Sequence, residues 1–212
     1  MEHIADNIAK CLLDVNAVKL SPKDPFTWAS GLKSPIYCDN RILLSYPEIR
    51  EIVKNSFVKI SAFFDDFDVI AGVATAGIPH GMLLADALKK PFIYVRDKPK
   101  AHGRQNIIEG NLTSDQSVLV VEDLISTGGS ALNAVDTIES IGAKVVGVVA
   151  IFSYGFEVAT REFRNRNLHC KTLTNYLALI NVALENNLID PTDYDTLQHW
   201  MSNPEKWSSE RS

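Results

Sequence analysis

VLVVEDLISTGGSA, residues Val118 to Ala131, passes within one short stretch from an apolar run to paired acids to a glycine-rich turn. Val118, Leu119, Val120 and Val121 have the length and branching of a strand buried on both faces. Glu122 and Asp123 follow, and then a small-residue loop through Leu124, Ile125, Ser126, Thr127 and Gly128. Gly129 and Ser130 lead into Ala131, Leu132, Ala134, Val135, Ile138 and Ile141, an apolar stripe at helical spacing that stops at Gly142. The expected order is strand, loop, helix.

A loop of Ser, Thr and Gly at a helix start collects unpaired N–H groups and the positive end of the helix dipole, which together suit a phosphate. The carboxylates of Glu122 and Asp123 would repel that phosphate, so they address something else, such as sugar hydroxyls or a cation. A ribose 5-phosphate presents both kinds of group. The commoner phosphate loops are missing, since no GxxxxGK[ST] run occurs and no GxGxxG follows a candidate strand. An ordinary strand-to-helix turn, capped by Asp and shaped by glycine, would show some of the same residues.

Outward from this stretch, strands alternate with helices. Asp68 to Val73 reads as a strand, Ala74 to Gly77 as a second small-residue turn, and Leu83, Leu84 and Leu88 as part of a helix. Pro91 to Val95 gives the next strand, and a polar segment runs from Arg96 to about Ser117. After the strands and helix of 118–152 come a helix near Glu157 to Arg166, a short strand at Leu168 to Leu173 and two closing helices. The last has Asp190 as cap and Pro191 at its first position. Before all of these, Ile4, Ile8, Leu12 and Val15 mark an amphipathic first helix, and FTWASGLKSPIYCD, Phe26 to Asp39, reads as short strands and turns. Pro47 starts a helix with Ile49, Ile52, Val53, Ile60 and Phe63 facing inward.

The expected class is therefore α/β, a parallel sheet with helices on both faces and a small N-terminal hood. One domain would span 1–212, with 1–45 forming the hood. Ligands of such a sheet sit outside the carboxyl ends of its strands, where both small-residue turns and the polar segment converge.

Bulk properties narrow the function classes. Hydrophobic residues make up 46% and charged residues 22%, as in ordinary globular proteins, and the net charge of -5 disfavours a nucleic-acid-binding surface. Cys11, Cys38 and Cys170 include no CxxC pair, so neither a disulfide framework nor a zinc site is expected, and reduced thiols point to the cytoplasm. MEHIADNIAK carries no signal sequence, and the longest apolar run, near Val145 to Phe152, is too short to cross a membrane.

The pattern EDLISTGGS resembles the signature of the type I phosphoribosyltransferases, which use 5-phosphoribosyl 1-diphosphate. The resemblance implies that Glu122, Asp123, Leu124, Ile125, Ser126, Thr127, Gly128, Gly129 and Ser130 hold the phosphoribosyl group, with Ser126 also reaching the base. VRDKPKAHGRQNIIEG resembles the family's catalytic loop, which places Arg96, Lys100 and His102 on the diphosphate. In relatives this loop, here Arg96–Gly110, commonly completes the site of the neighbouring subunit of a homodimer. As a plain sequence the same segment reads as a solvated basic loop, long for a compact domain. AGVATAGIP, Ala71 to Pro79, resembles the diphosphate loop, although close helix–strand packing asks for the same small residues.

FTWASGLKSPIYCDNR resembles the hood of the members that use orotate. The resemblance as a whole implies Mg2+-dependent transfer of the 5-phosphoribosyl group to orotate, giving orotidine 5′-monophosphate and diphosphate on the way to UMP. Lys100, His102 and Asp123 would be the catalytic residues, with Mg2+ carried on the donor's oxygens and no metal site built by the protein. Transfer to another nucleobase, or a non-catalytic sensor of the same donor, are the alternatives. Some relatives hold orotate's carboxylate with an arginine where Tyr154 stands here, or with a lysine at the place of Ala29, so the residues quoted leave that anchor open.

Overall fold

The computed structural model describes residues 2–97 and 107–211. Helix α1 covers Glu2–Asp14 and precedes four short strands, β1 (Val18–Leu20), β2 (Phe26–Thr27), β3 (Lys33–Ser34) and β4 (Ile36–Cys38). A 3-10 turn over Asn40–Ser45 leads to α2 (Pro47–Ser61). Strands and helices then alternate: β5 (Val69–Val73), α3 (Gly77–Leu88), β6 (Phe92–Val95), β7 (Ile108–Glu109), β8 (Ser117–Ile125), α4 (Gly129–Glu139), β9 (Lys144–Ser153), α5 (Glu157–Asn165) and β10 (Cys170–Asn175). Three helices close the chain, α6 (Tyr176–Glu185), α7 (Pro191–Ser202) and α8 (Pro204–Ser209), one more than the sequence suggested. Two compact units result, one of residues 48–173 and one of 1–47 with 174–212.

The first unit is built on a six-stranded sheet in the order β10-β9-β8-β5-β6-β7. β5 pairs in parallel with both β6 and β8, β8 pairs in parallel with β9, and β7 runs antiparallel to β6 at the edge. Alternate residues of the strands face opposite sides, so each face needs its own cover. Ala71, Val73, Ile93, Val95, Val118 and Val120 cluster with Leu132, Val135 and Ile138 of α4 and with Phe163 of α5. On the other face, a Cβ at Gly81 of α3 would stand 2.9 Å from the Phe92 ring and 3.3 Å from the Cα of Gly72. The expected parallel sheet with helices on both faces is what the chain forms.

Two apolar residues depart from their expected burial. Phe63 lies beyond the end of α2 and is 56% exposed, with the Lys171 ammonium 4.6 Å from its ring centroid, while Phe57 takes the buried place. Ile141 is exposed because α4 ends at Glu139, after which the chain turns through Gly142 at φ +90.

The second unit joins the two ends of the chain. Ile8 and Leu12 of α1 are fully buried, and α1 packs against α6. β2 and β3 form a hairpin around Gly31, whose φ of +86 glycine adopts without strain. The Lys33 N–H donates to Ser208 Oγ at 2.8 Å, and the Trp28 ring meets that of Trp200 edge-on, with centroids 5.8 Å apart. Asp190 caps α7 by accepting from the Asp193 N–H, with Pro191 in the first turn.

The tightest backbone approach in the sheet unit lies at Gly77, where an added Cβ would stand 2.4 Å from the Val121 carbonyl oxygen. Gly77→Ala should therefore destabilise the protein by about 1–3 kcal/mol, the usual cost of overpacking a fixed backbone contact. Chemical denaturation of the two proteins checks this, and equal midpoints would show that α3 can shift away.

Candidate active site

β5 sends its chain to β6 on one side, whereas β8 sends its chain to β9 on the other. The strand order thus reverses between β5 and β8, the place where open α/β sheets leave a crevice. Gly72 pairs with Val121 across that boundary, so the turn after β5 and the acids after Val121 emerge side by side. The Ala74 N–H donates to the Val95 carbonyl at 2.9 Å, which brings the end of β6 alongside. The peptide between Ala74 and Thr75 is cis, a detail with no sequence signal.

A cavity of about 370 Å³ opens at these ends. Ala74 and Thr75 line it from the first turn, Arg96 and Asp97 from the end of β6, and Ser130, Asn133 and Thr137 from α4. The turn after β5 and Arg96, Asp97 and Ile107 of the polar segment thus border one space with α4, whereas Glu122 to Gly129, the acids and the second small-residue turn, are not among its lining residues. Lys100 and His102 lie outside the described residues.

The glycine-rich turn leads straight into α4, as the sequence suggests. Gly128 occupies the N-cap of α4 in the left-handed region, φ +86, and no side chain caps the first turn. No side chain thus takes up the N–H groups that begin α4. Thr127, Gly129 and Ser130 are exposed, Ser126 is half-buried and Gly128 is buried beneath its neighbours.

Strand β8 does not stop at Val121, as its apolar run suggests, but continues through the acids to Ile125. Leu124 and Ile125 pair with Phe152 and Ser153 of β9, so both are strand residues. Ile125 is buried, and its carbonyl accepts from the Tyr154 N–H at 3.0 Å. Tyr154 itself is buried, its ring stacked on Phe156 at 5.4 Å and nearly parallel to it.

The two acids are not equivalent. Asp123 is half-buried, while Glu122 is only 5% exposed and accepts from the Asp123 N–H through Oε1 at 2.9 Å. Burial first, and then the hydrogen-bonded Asp123 side chain with its charge, push the Glu122 carboxyl far above its ordinary value of 4.5, so it holds a proton at neutral pH. Asp123 is the more exposed acid of the pair, with Glu122 as its hydrogen-bonding neighbour.

Arg96 is not a free cation. Its Nη1 lies 3.3 Å from Glu109 Oε1 on β7, and its N–H donates to the Ile107 carbonyl at 2.8 Å. Sequence reasoning missed Glu109, because the pairing of β6 with β7 that brings it beside Arg96 rests on two residues of strand. In the other unit, Tyr37 is 44% exposed, with its ring 5.8 Å from that of Phe26, and Lys33 Nζ donates to Thr27 Oγ1. Among the described residues no group of three or more His, Cys, Asp or Glu side chains could hold a metal ion, and no helix is long and apolar enough to cross a membrane.

A switch-point crevice with small-residue turns at two helix starts and paired acids beside them fits the phosphoribosyltransferase class. The family model described as the phosphoribosyl transferase domain matches residues 40–184. The chain is 51% identical to an orotate phosphoribosyltransferase of Enterococcus faecalis, over 98% of its own length and 99% of the relative's, and 50% identical to one of Listeria innocua, over 96% and 98%. Among solved structures it is similar to Mycobacterium tuberculosis orotate phosphoribosyltransferase, with a TM-score of 0.69 and 27% identity over 82% of this chain and 97% of that one. It is also similar to Leishmania donovani UMP synthase, with a TM-score of 0.78 and 26% identity, covering 93% of this chain but only 42% of that larger protein. The chain belongs to the orotate phosphoribosyltransferase family.

Glu122 makes a testable pH signature. Its pKa is raised on folding, so from pH 4.5 upward the folded protein binds more protons than the unfolded chain, and this group's contribution to stability falls as pH rises. Replacing it with neutral glutamine removes that slope. Between about pH 5 and about pH 8, Glu122→Gln should hold its Tm better than the unsubstituted protein. Parallel Tm profiles for the two would place the proton elsewhere.

Proposed function

We propose that this protein transfers the 5-phosphoribosyl group of 5-phosphoribosyl 1-diphosphate to orotate, forming orotidine 5′-monophosphate and diphosphate, a step toward UMP. The observation that carries this reading is the single cavity bordered by the turn after β5, the end of β6 and the start of α4. Near-full-length relatives at half identity bear the matching name.

The difficult moment is departure of diphosphate from the anomeric carbon, which leaves positive charge on the sugar and negative charge on the leaving group. Backbone N–H groups of Thr127, Gly128, Gly129 and Ser130 hold the 5′-phosphate and so fix the ribose. Asp123 accepts from the ribose hydroxyls and lies on the side where positive charge develops, with Glu122 beside it as a neutral donor. Arg96 takes part of the diphosphate charge. Lys100 and His102 supply further cationic donors and a route for the proton that diphosphate acquires. Ser126 reaches the base.

Mg2+ would be carried mainly on the donor's oxygens and water, since among the described residues no cluster of His, Cys, Asp or Glu side chains could hold it. When bound, the ion neutralises diphosphate charge. We further propose that the 212 residues act as one transferase domain with 1–45 as its hood, in the cytoplasm, as a homodimer whose Arg96–Gly110 loop serves the partner's site.

Purified protein supplied with Mg2+, donor and one base at a time tests the reaction. Orotate should be consumed and diphosphate released; turnover of adenine or uracil with orotate untouched would overturn the acceptor. Asp123→Asn should lower kcat by roughly a hundredfold or more, the order expected for an electrostatic partner of a developing charge. Mixing Lys100→Ala with Asp123→Asn chains should then restore part of the activity, since one site of a mixed dimer keeps both groups. No recovery after proven subunit exchange would place the loop in its own subunit's site.

A further inference from the structure

A second cavity, of about 380 Å³, opens between the chain that follows β7 and the last turn of α4, and the signature stretch contributes nothing to it. Its apolar walls are Ile107, Ile108 and Leu112, which pack against the sheet core, and Ile141, which stands exposed beyond the end of α4. Asn111, Thr137 and Ser140 supply the polar groups, and no charged side chain among the described residues borders the space. The walls are set before any ligand arrives. β7 is paired to β6, and the Gly110 backbone sits so near Ile93 that an added Cβ would stand 2.8 Å from its Cγ2. Gly110 holds that place with φ +111, a conformation that suits glycine. Fixed elements thus enclose a volume at the lower end of the roughly 300–1,000 Å³ usual for ligand sites.

The hydroxyls decide what a ligand must offer. Thr137 Oγ1 donates to the Asn133 carbonyl at 2.8 Å and Ser140 Oγ donates to the Thr137 carbonyl at 2.7 Å, so each proton is already committed to the helix. Each oxygen keeps lone pairs, and no proton, for an incoming group. α4 ends at Glu139 with no basic residue in its last turn, so the helix end adds negative potential at Ser140. An anion would meet acceptors and that dipole end with no cation to receive it. A full cation would give up its water without a carboxylate at the wall, and the cost of desolvating a charge exceeds what a helix end returns. A neutral molecule that donates N–H groups meets neither penalty. Aliphatic walls cover the faces of a flat ring, and the Asn111 amide can pair with its edge.

We propose that this cavity is a second binding site, distinct from the one assigned to the phosphoribosyl donor, for an uncharged, amino-bearing heterocycle of the nucleobase class. Ile107 and Thr137 line both cavities, so an occupant bears on the same two side chains from the far side. Occupancy is read without turnover, and so independently of the transferase reaction.

The test titrates the full-length protein, with and without saturating orotidine 5′-monophosphate, and compares it with Asn111→Ala and Ser140→Ala. Both replaced side chains are exposed, so the fold should be kept. Adenine, adenosine, purine and adenosine monophosphate are added in turn, with calorimetry for affinity and backbone-amide NMR shifts for location. Adenine should bind with a Kd on the order of 0.1–1 mM, as suits a ligand of about ten non-hydrogen atoms. It should shift the amides of Gly110, Asn111, Ser140 and Ile141 whether or not orotidine 5′-monophosphate is present. Purine, which lacks the amino group, should bind roughly three- to tenfold more weakly, and so should adenine to either variant, the usual worth of one neutral hydrogen bond. Adenosine monophosphate should leave these amides unmoved. Adenosine binding as well as adenine would extend the class to nucleosides, and its exclusion would restrict it to free bases.

No shift at these amides with millimolar adenine would overturn the proposal. So would shifts confined to Ser126 to Ser130, displacement of adenine by orotidine 5′-monophosphate, unchanged affinity in both variants, or binding of adenosine monophosphate at least as tight as that of adenine.

Discussion

The contact that the site depends on is between two backbones. Gly77 rests so closely on the Val121 carbonyl that no side chain fits between them, and this holds the start of α3 against the end of the neighbouring parallel strand. Because β5 and β8 are adjacent while their following helices cross opposite faces, two helix starts open toward the same crevice. Small residues in the turn after β5 therefore serve packing and ligand approach at once. A larger side chain there would separate the strand ends before it altered any chemistry.

Burial then sorts the polar groups. Glu122 and Asp123 are neighbours in sequence, yet only Glu122 is withdrawn from solvent far enough to keep its proton. His80 shows the reverse case on α3. It is 1% exposed, neither ring nitrogen has a partner among the described residues, and burial pushes its pKa down to about 4. Its folded pKa lies below the ordinary 6.5, so its contribution to stability fades as pH falls through that window, whereas the Glu122 contribution fades as pH rises. Glu122 weakens folding progressively above its ordinary 4.5 and His80 progressively below its ordinary 6.5, so the two penalties overlap between those values.

The interior strands were legible because a strand buried on both faces needs a continuous apolar run, which β5 is and which β8 and β9 contain at Val118–Val121 and Val145–Phe152. The extension of β8 through Glu122 and Asp123 was not, since acids ordinarily end a strand and only pairing with β9 keeps these in one. Ile141 misled because helical spacing continues past the point where α4 stops. The glycine-rich turn and the helix start after it were readable from residue types alone, whereas Glu109 became visible only through a two-residue strand at the sheet edge. The closing helices hid their partners for a related reason. Trp200 and Trp207 are buried in a unit whose other half lies at the opposite end of the chain, beyond the reach of any local periodicity.

That union of the two ends has a bearing on biosynthesis. Residues 1–47 leave the ribosome before the central sheet, but the unit they belong to needs 174–212, which leave after it. The central sheet can assemble while translation proceeds, since its strands and crossover helices are contiguous in the chain. Helix α1, by contrast, waits with Ile8 and Leu12 uncovered until α6 emerges, so while the sheet is being made the nascent protein displays a greasy helix face that chaperones are built to shield.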